Sequence, residues 1–252
     1  MLLATAASAC GNNTARAPNP TAYDWPDAFE YRIRFWAVGP DVAPARAYAK
    51  GSVLRFEVRN DRYLVWHDSL FTQGAPPWPA DTLRYFVRLS RWGEFLEIEP
   101  ACDPALRACH EALPSALPRE LRHIVPRLPV WWPPKGHEWE DTLAFDDLPR
   151  PRGVRGSVRT IYRAARDTAF GGTACWIVTW HSVWSAVREA AGGAIVADRP
   201  MEESGTVFVD KGLLIPVYAE WRGAGAIGQE IRGRAILVGS AFDSVRAMEG
   251  VR

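Results

Sequence analysis

Chemistry in this chain would have to come from four cysteines, five histidines and a short run of acids. His137, Glu138, Glu140 and Asp141 sit together in GHEWEDT, with Asp146 and Asp147 close behind. Oxygen and nitrogen ligands at that density could hold zinc or a hard cation. The spacing matches neither the EF-hand loop nor HExxH, so the segment is expected to be a solvated acidic loop. No metal and no other cofactor is expected. Cys102, Cys109 and His110 form the other local group, but six residues separate the two cysteines, which does not satisfy CxxCH. The histidines (67, 110, 123, 137, 181) are scattered, and no GxSxG elbow marks a nucleophile. GAGAIGQ (Gly223 to Gln229) has the glycines of a dinucleotide loop but leads into strand-like residues, so a hairpin turn is expected there. The chain therefore reads as non-enzymatic. A hydrolase or metal-dependent activity assembled in space is the alternative.

The elements that must position these residues are mostly strands. In EYRIRFWAV (Glu30 to Val38), Tyr31, Ile33 and Phe35 alternate with Arg32 and Arg34, the period of a half-buried strand. Ser52 to Arg59 repeats the pattern and pairs with Arg62 to Leu70 across an Asn60-Asp61 turn. Thr82 to Ser90 and Phe95 to Pro100 complete an antiparallel meander. A short helix is expected from Pro104 to about Leu113 and a second from Ser115 to Ile124. Prolines 126, 129, 133 and 134 then forbid regular structure, leaving an ordered crossing anchored by Trp131 and Trp132. Strands resume at Gly153 to Arg166, Thr173 to Arg188, Thr206 to Asp210, Leu213 to Arg222 and Gln229 to Gly239, with a tight turn at Asp210-Lys211-Gly212. The fold class is mainly β (α+β): a curved antiparallel sheet or half-barrel with a small helical insert around residues 103–125.

Twelve tryptophans are the outlier of composition. Trp176, Trp180 and Trp184 recur every fourth residue and share one face of helix or strand; the β-branched residues between them favour strand. With Trp66 and Trp221 they are the candidate lining for an apolar ligand. Arg155, Arg159 and Arg163 would share one strand face and could meet anionic headgroups, although a solvated face is the plainer reading. The net charge is +1, which points to no nucleic-acid partner. Three lysines stand against 27 arginines, a bias that fits a GC-rich genome.

The amino terminus supplies the address. A short apolar run ends at Ala7-Ser8-Ala9-Cys10 and composition then turns polar. This resembles the lipobox of bacterial lipoprotein signal peptides, which implies lipidation of Cys10 and anchoring at a membrane. Ala7 stands where Leu is usual, and no basic residue precedes the run. Gly11 rather than Asp after the cysteine resembles the outer-membrane sorting signal. The chain thus divides into a signal-like segment (1–10), a tether (11–28) poor in residues to bury, and one β-rich domain (29–248). In an oxidising envelope compartment Cys102 and Cys109 are close enough to form a local disulfide, leaving Cys175 free.

Strands, helices, a proline-rich crossing and more strands behind a lipobox are together similar to lipoproteins of the LolA/LppX-like half-barrel class. KGHEWEDT (Lys135 to Thr142) and GTVFVDKGLL (Gly205 to Leu214) resemble loop and hairpin features of that class over residues 29–240. The resemblance implies an open half-barrel, plugged by helices, sheltering an acyl chain or other apolar ligand. The alternative is an extrinsic subunit docked on a larger envelope complex. Both place the protein on the periplasmic side of a membrane.

Overall fold

The computed structural model describes residues 22–38, 49–72, 83–101, 116–146, 148, 154–170, 172–189, 194–198, 200–224 and 230–240. Wherever side chains alternate with period two, a strand forms. β1 (Ala28–Val38), β2 (Ala49–Arg59), β3 (Arg62–Thr72), β4 (Leu83–Leu89) and β5 (Phe95–Pro100) make the expected antiparallel meander. Asn60 turns the β2–β3 hairpin at φ 60°, a left-handed conformation that asparagine tolerates. Within 103–125 the described helix is α1 (Ala116–Leu121), six residues long. It stops short of the expected Ile124. Residues 102–115, with Cys102, Cys109 and the first expected helix, lie outside the described residues.

β6 (Glu138–Asp146), β7 (Val154–Ala164), β8 (Thr168–Phe170), β9 (Thr173–Glu189), β10 (Ile195–Ala197), β11 (Met201–Asp210), β12 (Ile215–Ala224) and β13 (Glu230–Leu237) follow. β9 settles the tryptophan run as strand. β6 corrects the acidic-loop expectation. Trp139, Asp141, Leu143 and Phe145 turn inward while Glu138, Glu140, Thr142 and Asp146 turn out, and β7 supplies the backbone partners. Glu138, Glu140 and Asp146 are the outer half of a strand, and Asp141 alone of its acids turns inward.

All pairings are antiparallel, in the order β5-β4-β3-β2-β1-β13-β12-β11-β9-β7-β6, with β8 and β10 attached to β9. The sheet is one large, open, mainly antiparallel structure, and among the described residues its end strands β5 and β6 do not pair. Laid flat, its ten strand spacings would separate those ends by about 48 Å. A single side chain instead spans the gap. Arg127 reaches Glu94 before β5 at 2.5 Å and Asp141 on β6 at 2.9 Å. The sheet therefore curls until its two ends nearly meet.

Residues 116–132 fill the inside of that curl. Leu117, Leu121, Ile124, Val125 and Leu128 are buried against both halves of the sheet, each contributing about 1.5–3 kcal/mol of apolar burial. Leu128 donates its backbone N–H to the carbonyl of Trp92 at 2.9 Å, and the Tyr23 hydroxyl donates to the carbonyl of Pro126 at 2.8 Å. Gly93, at φ +83°, lets the β4–β5 turn lie against this plug; a Cβ there would stand 2.9 Å from the Pro126 carbonyl oxygen.

Candidate functional site

The inner face of the second half carries polar residues where core residues are expected. Asp141 (β6), Thr160 (β7), Ser182 (β9) and Glu203 (β11) lie opposite one another in a single register row. On one side of this row stands an aromatic row: Tyr162, Trp180, Gly205, Trp221 and Gly233, again in direct register. On the other side, Phe145, Val158 and Trp184 form a small apolar cluster separate from the main core. The polar row thus divides two hydrophobic regions.

Large and absent side chains alternate in the aromatic row for a steric reason. The Trp221 indole lies on Gly233, whose Cβ would fall 2.1 Å from Trp221 Cε2. Trp180 lies the same way on Gly205, at 2.7 Å from Cζ2. Between the two indoles sits His123. Its ring stacks on Trp221 at 4.8 Å and 3°, and tilts against Trp180 at 5.6 Å. Nε2 lies 2.8 Å from Glu203 Oε2 and Nδ1 lies 3.1 Å from the Glu120 carbonyl oxygen. Both ring nitrogens face acceptor oxygens. Trp184 Nε1 donates to the same Glu203 oxygen at 2.7 Å. Burial pushes the Glu203 carboxyl upward, but the His123 charge and these hydrogen bonds outweigh it and hold the group below its ordinary value.

The preceding residue makes the second attachment. Arg122, 6% exposed, pairs with Asp141 and donates to the Tyr162 hydroxyl at 3.1 Å. Two consecutive plug residues are therefore bonded to the sheet on either side of the Thr160–Ser182 hydroxyl pair, itself 2.8 Å apart. The arrangement fastens the plug to the sheet at two points.

Of the candidate lining, Trp180, Trp184 and Trp221 meet around His123 and Glu203, and Trp176 stacks on Trp132 further along β9 at 4.8 Å. Trp66 stands apart. Its neighbours Tyr63 and Val65 are buried inside, so by alternation it projects from the outer face. Trp131 is 49% exposed and is not the anchor its partner Trp132 is. The four metal candidates are dispersed by strand alternation: His137 and Glu138 are exposed, Glu140 pairs outside with Arg159, and Asp141 is buried. Among the described residues no three His, Cys, Asp or Glu side chains converge on a metal position. Arg155 and Arg159 of the basic stretch are paired with Asp146 and Glu140. Cys175 is free and fully buried; burial, with Asp210 adding and Lys211 opposing, pushes its thiol up to about 11. Cys10 lies outside the described residues.

Arg122, His123 and Glu203 escaped the sequence reading because 80 residues separate the two halves of the His123–Glu203 pair. One signal was present. Asp141, Thr160, Ser182 and Glu203 each fall on the core parity of their strands, among Leu143, Tyr162, Trp180 and Val207.

Fold and site together define a plugged, curled, open antiparallel sheet. No protein-family model and no curated protein matches the chain. A solved structure that it is similar to is a hypothetical lipoprotein, YmcC, from Escherichia coli K12. That match covers 88% of this chain and 90% of the other, with 10% identity and a TM-score of 0.29. The superposition is too loose to fix a shared topology.

Proposed function

We propose that this chain is an envelope lipoprotein, acylated at Cys10 and held on the periplasmic side of a membrane, whose folded body is a non-enzymatic accessory subunit. The lipobox-like Ala7-Ser8-Ala9-Cys10 supports the anchor, and Gly11 favours the outer membrane. One observation favours docking over ligand storage: the inner aromatic surface is filled by the chain itself. The faces of Trp180 and Trp221 are covered by His123 and by the backbones at Gly205 and Gly233. Mass spectrometry of the mature amino terminus tests the anchor; native material with an unmodified Met1 or a free Cys10 thiol would overturn it. Co-purification from gently solubilised membranes tests the subunit role, with migration in a stable assembly as the expected result.

A second reading is an apolar-ligand carrier, as the LolA/LppX-like resemblance implies. Its support is the small cluster of Phe145, Val158 and Trp184 beyond the polar row, flanked by Leu143, Val154 and Ala186. Organic extraction of the purified protein followed by mass spectrometry distinguishes the two. A stoichiometric lipid favours the carrier, and its absence favours the subunit.

A further inference from the structure

The outer face of β1, β13 and β12, where the two halves of the sheet join, carries five arginines. Two pairs of them stand directly opposite each other. Arg34 on β1 faces Arg234 on β13, and Arg232 on β13 faces Arg222 on β12. Arg32 lies two residues from Arg34 on the same face. Opposed side chains of an antiparallel pair have Cβ atoms about 4.5–5.5 Å apart, where like charges destabilise the sheet. Acids adjoin the patch, with Glu220 on β12 directly opposite Arg234 and Glu202 two residues from Ser204, which faces Arg222. Glu230 accepts two bonds from Arg232 at 3.2 Å, Glu30 engages Arg55 at 2.9 Å and Arg32 at 3.9 Å, and Glu220 accepts from the Tyr218 hydroxyl at 2.9 Å. Arg34 and Arg222 are exposed and have no acidic partner among the described residues. This differs from β7, where Arg155 and Arg159 are each matched by an acid.

Aromatic residues interleave with these charges. Trp36 lies opposite Arg232, and the Arg234 guanidinium lies 5.8 Å from the Tyr218 ring centroid. Arg34 and Arg222, with Trp36 and Tyr218 on the same face, match the chemistry of a phosphate-bearing membrane interface. The geometry points to this face as the docking surface for an anionic phospholipid surface. The inference rests on the anchoring at Cys10, since eleven residues between Cys10 and residue 22 extend at most about 40 Å and keep the body beside the bilayer. Each arginine near an anionic surface contributes about fivefold in partition.

The test uses the unacylated full-length chain and co-sedimentation with vesicles of phosphatidylcholine with or without phosphatidylglycerol. The wild type should bind only the phosphatidylglycerol vesicles and be released by salt. R34E/R222E should lower the partition by about tenfold or more, whereas R34K/R222K retains it. R155E/R159E makes the same change in net charge at arginines already paired and should stay within about twofold of wild type. Thermal melts check that each variant is folded, and R34Q/R222Q replaces the glutamate pair if that unfolds. Equal loss in R34E/R222E and R155E/R159E, equal binding to pure phosphatidylcholine, or no wild-type binding overturns the inference. An unacylated protein is used, so such a failure leaves the anchor, read by mass spectrometry, standing.

Discussion

Replacing Asp141 by alanine should destabilise the fold by about 3–5 kcal/mol, because it strands a buried guanidinium. The Arg122 and Asp141 side chains are each 6% exposed, so neither charge is solvated in the folded state. Arg127 also loses a contact, but it is 40% exposed and keeps Glu94. Nearly all the loss therefore falls on Arg122, left with the Tyr162 hydroxyl at 3.1 Å. The control is Asp146→Ala, which breaks the Arg155–Asp146 pair, 59% and 50% exposed, and should cost about 1 kcal/mol or less. Removing both buried charges with R122M/D141L should recover most of the stability, since the desolvation penalty goes with them. Urea unfolding followed by tryptophan fluorescence reads the shift as a change in midpoint at constant slope. In a thermal scan the single variant should fall by about 6–20 °C. If Asp141→Ala matches Asp146→Ala, or if the double variant is as unstable as the single one, the plug is not fastened by this pair.

Glu203 is held below its ordinary value, so its contribution to stability is fully present above the unfolded pKa of 4.5 and is lost as pH falls through the folded value. Urea midpoints measured from neutral pH downward should therefore drop below about pH 4.5, and Glu203→Gln should remove that part of the slope. Gly233→Ala places a Cβ 2.1 Å from the Trp221 indole and should cost about 1–3 kcal/mol, with a changed near-ultraviolet circular dichroism spectrum as the indole shifts. With its thiol pushed up to about 11, Cys175 should be inert to iodoacetamide at pH 8 and react only after denaturation; rapid labelling of the native protein would show that the site opens.

Most of the longer strands are legible along the chain. β1, β2, β3 and β5 follow from alternation that a half-buried sheet requires, and the Asn60-Asp61 turn is local chemistry. β9 was ambiguous by spacing alone, and its β-branched residues decided it correctly. β6 was not legible, because its outer residues Glu138, Glu140 and Asp146 masked an inner set containing only three apolar side chains. Nothing local could reveal that the sheet curls until Arg127 spans from Glu94 to Asp141, since that depends on the summed twist of eleven strands. The same holds for the fastening site. The register of β9, β11 and β12 sets Trp180 and Trp221 on either side of Gly205, and only the returning plug places His123 between them. Alternation is a property of neighbouring residues and can be read along the chain. Juxtaposition across 80 residues is a property of the closed core, and the tertiary structure alone decided it.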